Sequence, residues 1–125
     1  MDICSIIVHI YMIRNPGHNK TPRPLEVWSA DVPFDSSSGS KDRPVVVLGK
    51  KGSLYDIMMV TTHPRDGNYM RPLDPYDAGL DSRSHIRTDK LFRLSESRFN
   101  YYIGILSEDD AAVLESKYER MVKGR

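Results

Sequence analysis

Cysteine is almost missing from this chain. Cys4 stands alone among 125 residues, so no intrachain disulfide framework holds the fold, and the usage suits a reducing cytoplasm. An excess of charge of one sign is missing too. Eighteen Lys and Arg face seventeen Asp and Glu, a formal +1, so any nucleic-acid site has to be a local patch rather than a global basic field. Long apolar runs are lacking. The stretch Ile6-Ile7-Val8-His9-Ile10-Tyr11-Met12-Ile13 is too short and interrupted to span a bilayer. It also lacks the basic start and small-residue cleavage site of a secretory signal. The four histidines are scattered, the carboxylates lack ligand spacing and there is no Cys pair, so no metal is expected. Gly49-Lys50-Lys51-Gly52 fits a hairpin turn and lacks the Walker pattern, so no nucleotide cofactor is expected either. These absences exclude a disulfide-stapled scaffold, a helical membrane protein, a zinc module and a P-loop enzyme.

What remains is an ordinary globular composition, 39% hydrophobic and 28% charged, in a length that suits one domain. Residues 1–24 read as an N-terminal extension and connector, and 25–125 as the body. The β-branched residues of Ile6–Ile13 favour a strand added to a sheet edge, with Met12 as an alternative start. Asn15–Pro24 is polar and rich in Pro and Gly. Strands are expected at Leu25–Val32, Arg43–Leu48, Ile57–Thr62, Ser84–Asp89, Leu91–Leu94 and Tyr101–Ile105. Pro33–Asp42 and Pro64–Pro75 are expected as loops. The C-terminus has the pattern of a helix. Ser107 caps it with Asp110 three residues on, acidic residues fill its first turn, and Ala111, Leu114, Tyr118, Met121 and Val122 share one face. Several short strands followed by one helix predict a mainly β fold, a small twisted antiparallel barrel with a C-terminal α-helix.

Two strands carry the chemistry. Arg43 opens Arg43-Pro44-Val45-Val46-Val47-Leu48, and Thr61, Thr62 and His63 close the run that starts at Ile57. Paired as a hairpin, they bring a guanidinium, two hydroxyls and an imidazole to one sheet edge, groups suited to holding or breaking a phosphodiester. Arg43 stays charged and grips two phosphate oxygens at once. Its plain alternative is a surface arginine paired with Asp42 or Asp31. A threonine hydroxyl donates to phosphate oxygen, or merely caps the strand. His63 is a candidate proton shuttle, since imidazole titrates near neutrality; its alternative is a turn residue before Pro64. Lys41, Arg83, Arg87, Lys90 and Arg93 are the candidate RNA-binding cations, with Arg87 and Arg93 on one strand face if the segment between is regular. Asp81 and Asp89 nearby fit a solvated charged face equally well.

The Arg43–Leu48 core and the Thr61-Thr62 strand end resemble the MazF/PemK family of toxin ribonucleases. Glu26-Val27-Trp28-Ser29-Ala30-Asp31-Val32 is similar to that family's first strand. Ala78-Gly79-Leu80-Asp81-Ser82 followed by Ile86-Arg87-Thr88-Asp89-Lys90 is similar to its later segment, with Lys90 where the family has Gln. Ile103-Gly104-Ile105-Leu106-Ser107 resembles the run into its last helix. The matches keep the family's order over roughly residues 25 to 122. The resemblance implies an SH3-like barrel of the CcdB/MazF/PemK type. It also implies a sequence-specific, metal-independent endoribonuclease, or mRNA interferase, that cuts single-stranded RNA and leaves a 2′,3′-cyclic phosphate and a 5′-hydroxyl. Arg43 and Thr62 would be its catalytic residues, Thr62 being preferred to Thr61. The implied partners are mRNA, a cognate antitoxin and a second copy of the chain, with no membrane. The competing reading is a non-enzymatic toxin on the same fold, such as a CcdB-like gyrase poison acting through the helix.

Overall fold

The alternation of apolar residues along three long strands builds a sheet whose two faces are both buried. A computed structural model describes residues 21–33 and 39–123. The Ile6–Ile13 strand, most of the connector and Asp35–Ser38 lie outside the described residues. Strands β1 (Glu26–Pro33), β2 (Ser40–Lys51) and β3 (Leu54–Thr61) form the centre. Around them lie β4 (Tyr69–Met70), β5 (His85–Arg87), β6 (Phe92–Ser95) and β7 (Phe99–Ile105), and α1 (Glu108–Lys123) ends the chain. The order across the sheet is β4-β5-β3-β2-β1-β7, antiparallel at every pairing, with β6 also on β3.

The expected barrel is not closed. The outer edge of β3 is shared: Leu54–Ile57 pair with β6, while Val60 and Thr61 pair with β5. A 3-10 turn at Glu96–Arg98 carries the chain from β6 to β7, which pairs with β1 instead. Strands of two to four residues cannot supply the long staggered ladder that closure needs. Side chains close the curl in their place. Tyr55 and Trp28 meet Phe99 edge-to-face at 5.3 and 6.0 Å, and Trp28 meets Tyr102 at 5.9 Å.

Period two sorts the core. Trp28, Ala30, Val45, Val47, Tyr55 and Ile57 fill the inside of the curl. Val27, Val46, Met58, Val60 and Ile86 face the other way and take Leu114 of α1. Glu26 is buried, accepting from the Trp28 indole N–H and the Arg23 amide, both at 2.9 Å. Burial, with the Glu26 charge adding to it, pushes the Tyr102 phenol up to about 12, so it stays protonated.

The β2–β3 turn is one step tighter than the sequence suggests. Lys50 and Lys51 remain paired, and the turn is Gly52–Ser53, with Gly52 at φ +63°. A two-residue hairpin favours that positive φ. Gly49 has another use: an added Cβ would lie 2.9 Å from the Tyr118 hydroxyl. That close approach lets Tyr118 donate to Asp56, buried in β3, at 2.6 Å and tie α1 to the sheet. The helix begins as its sequence suggests, with the Asp110 amide donating to Ser107 Oγ at 3.3 Å.

Candidate active site

The β2–β3 register decides which strand-end groups meet. Val45 is level with Met59, so continuing the pairing to the end of β3 puts Arg43 level with Thr61. Thr61 is in turn paired with His85, and Arg43 with Ala30. Ala30, Arg43, Thr61 and His85 thus form one row on the inner face. Thr62 is the first residue beyond the end of β3.

Arg43 is half-buried at the mouth of the curl. Its Nη1 donates to the Met59 sulfur at 3.5 Å, and its Nε is buried with no partner. Neither neighbouring acid pairs with it. Asp42 accepts from Ser29 Oγ and from Asn100 Nδ2, and Asp31 also accepts from Asn100. Among the described residues Arg43 has no carboxylate partner, so its charge is free for an anion. Thr61 Oγ1 accepts from the His63 amide at 3.1 Å, which leaves the hydroxyl proton to donate outward. Thr62 Oγ1 lies 3.0 Å from His63 Nδ1.

Two hollows meet at this edge. The larger, of about 690 Å³, is lined by Lys41, Arg43, Met59, Thr61, His63, Arg65, Asp66, Tyr69 and Arg87. The smaller, of about 300 Å³, lies on the opposite side of the strand ends and takes in Thr62, Leu80, Asp81, Ser84 and Ile103. Lys41, Arg43, Thr61 and His63 border both.

The remaining cations divide. Arg87 lines the larger hollow and pairs with Asp89 at 2.9 Å. Burial pushes the Asp89 carboxyl up, but the Arg87 and Asn68 hydrogen bonds outweigh it and hold the group below its usual range. Lys90 lies over the Phe92 ring at 4.7 Å, and exposed Arg83 pairs with Asp81 at 3.1 Å. Arg93 donates to buried Asp56 at 3.4 Å, beside Tyr118. The stretch from Thr88 to Leu91 is not strand, so Arg87 and Arg93 do not share a face, and neither Arg83, Lys90 nor Arg93 lines the larger hollow. Arg65 and Tyr69 do line it and went unnoticed in the sequence, because the Pro64–Pro75 loop has no period to read. No three His, Cys, Asp or Glu side chains gather as metal ligands among the described residues. No helix among them is long and apolar enough to cross a membrane.

The helix-backed antiparallel sheet that carries this cleft has counterparts among solved structures. An endoribonuclease solved in complex with its cognate antitoxin, from Mycobacterial species, is 14% identical and superposes with a TM-score of 0.59. The match covers 82% of this chain and 96% of that one, and at this identity it speaks for the fold. No curated protein matches the sequence. The family pattern described as PemK-like, MazF-like toxin of type II toxin-antitoxin systems matches residues 23–122. The chain belongs to that family.

Proposed function

We propose that the protein is a metal-independent endoribonuclease toxin that cleaves single-stranded RNA, with Arg43 and Thr61 at the reacting phosphate. The observation that carries the reading is Arg43 itself, a half-buried guanidinium with no acidic partner, level with Thr61 at the rim of a basic cleft. In the reaction the ribose 2′-OH attacks the adjacent phosphorus and loses its proton. The P–O5′ bond breaks and the leaving oxygen takes a proton. The products are a 2′,3′-cyclic phosphate and a 5′-hydroxyl, so no water is consumed. Arg43 stabilises the charge that builds on the non-bridging oxygens, and Thr61 donates to one of them. To His63, two residues beyond the end of β3 and bordering the same cleft, we assign the proton transfer. Lys41, Arg65 and Arg87 hold flanking phosphates, and Tyr69 offers a ring on which a splayed base stacks.

The family match and the fold of the antitoxin-bound endoribonuclease support the same activity and a cognate antitoxin as the natural inhibitor; assembly as a homodimer is part of the proposal. The competing reading, a toxin that acts by binding through α1, requires neither Arg43 nor the cleft. Purified protein with a long defined RNA in excess EDTA separates the two. Discrete cuts with 5′-hydroxyl ends are expected, and intact RNA that is cut only after Mg²⁺ is added would contradict metal independence.

A further inference from the structure

The smaller hollow differs in chemistry from the cleft it adjoins. Both are bordered by Lys41 and Arg43; the larger adds Arg65, Asp66, Arg87 and Tyr69, whereas the smaller adds Asp42 and Asp81 on apolar walls that include Val60, Leu80 and Ile103. A volume of about 300 Å³ is at the small end of ligand pockets and suits a single base rather than a longer segment. It opens beside Arg43 and Thr61, so a strand whose phosphate sits on those residues has a neighbouring base within its reach.

The acids there are only partly used by the protein's own donors. Asp81 Oδ1 accepts from the Arg83 amide at 2.8 Å and from Arg83 Nε at 3.1 Å, and Oδ2 accepts from Nη2 at 3.2 Å. A carboxylate has about four acceptor positions, so one on Oδ2 remains. The side-chain hydrogen bond from Arg83 holds the Asp81 carboxyl below its usual range, and it is ionised at neutral pH. Asp42 uses only Oδ1, and its Oδ2 has no partner among the described residues. Lys41 and Arg43 also border this hollow, but in the proposed complex they hold the phosphate, so the acceptors left to a base favour a donor and repel a carbonyl oxygen.

Resting on the ribonuclease reading above, we propose that this hollow is a base pocket beside the cleaved phosphate. It selects a base carrying an amino group on its Watson–Crick edge and rejects uracil. Asp81 accepts from the amino group, and Arg83 is the positioning residue that fixes the carboxylate. Single-stranded RNA exposes those edges for reading. Uracil offers one N–H flanked by two carbonyl oxygens, the arrangement a carboxylate tolerates least.

The test uses the full chain and short RNAs that differ only in the nucleotide on either side of one cut, each base in turn. Cleavage is measured as kcat/KM. Binding is measured in parallel by fluorescence anisotropy on the same RNAs with a 2′-deoxy sugar at the cut. Amino-bearing bases should exceed uracil about tenfold on one side of the cut, the low end of what one good side-chain–base pairing gives. Asp81→Asn keeps an acceptor for the Arg83 amide but gains a donor, and it should shrink or reverse that ratio in both measurements. A base ratio in binding without any cleavage would uphold the pocket and remove the ribonuclease reading. No preference on either side in wild type, no binding to any RNA, or an unchanged ratio in folded Asp81→Asn and Asp81→Ala proteins would overturn the pocket.

Discussion

At the scale of single residues, the site depends on which side of a strand each hydroxyl occupies. The sequence makes Thr61 and Thr62 look interchangeable, and the family resemblance alone favours Thr62. The pairing of Val45 with Met59 and of Thr61 with His85 gives Thr61 the face shared with Arg43, and leaves Thr62 to the smaller hollow. One residue of register reverses every side chain, which is why spacing alone cannot choose between neighbours. Thr61→Val should therefore lower kcat by about 10²-fold, the scale of one transition-state donor, and Thr62→Val should cost clearly less. Single-turnover cleavage assays on folded variants would rank them, and a larger loss at Thr62 would move the phosphate to the other side of the strand. His63→Gln belongs in the same series. If its loss matches that of Thr61→Val, the imidazole is the proton carrier.

At the scale of elements, a buried carboxylate latches a loop beside the site to the helix. Asp110 is almost fully buried at the start of α1 and accepts from the Leu73 and Asp74 amides at 2.9 and 3.0 Å, and from Ser107 Oγ at 3.2 Å. Hydrogen bonds to a charged group are worth about 1.5–3 kcal/mol, so Asp110→Ala should cost at least that much stability in a urea melt. It should also speed hydrogen exchange at the Leu73 and Asp74 amides, and unchanged exchange there would show that the latch does not hold the loop. Ser107 and Asp110 were legible in the sequence as a cap; that the same carboxylate reaches a loop some 36 residues earlier was not. The strands of the body follow the same division. Period-two alternation marked β1, β2 and β3, whose faces are both apolar, but nothing in the sequence says that β3 shares its edge between β5 and β6. The open curl and the separation of Arg87 from Arg93 go with that divided edge and the break in strand between its two partners. Arg65 and Tyr69 entered the cleft from a loop without pattern, and only tertiary contacts bring them there.

For the molecule as a whole, near-neutral charge makes nucleic-acid binding a local matter. Among the cations of the larger hollow Arg87 is already paired with Asp89, so in the proposed complex Lys41, Arg43 and Arg65 carry most of the phosphate contact. Three such contacts on a single strand imply a slope of about −2 for log K against log salt concentration. A slope near zero, read from anisotropy titrations with a 2′-deoxy RNA, would mean that the backbone is not held in this cleft. The sheet supplies rigidity, and in the proposed reaction the strand ends supply the reacting groups. The most direct measurement of the whole account is cleavage of a defined single-stranded RNA by wild type and by Arg43→Ala, in EDTA, with folding checked by circular dichroism. Wild type is expected to leave 2′,3′-cyclic phosphate and 5′-hydroxyl ends, and the folded variant to be slower by about 10²–10³-fold. Equal rates for the two folded proteins would contradict it.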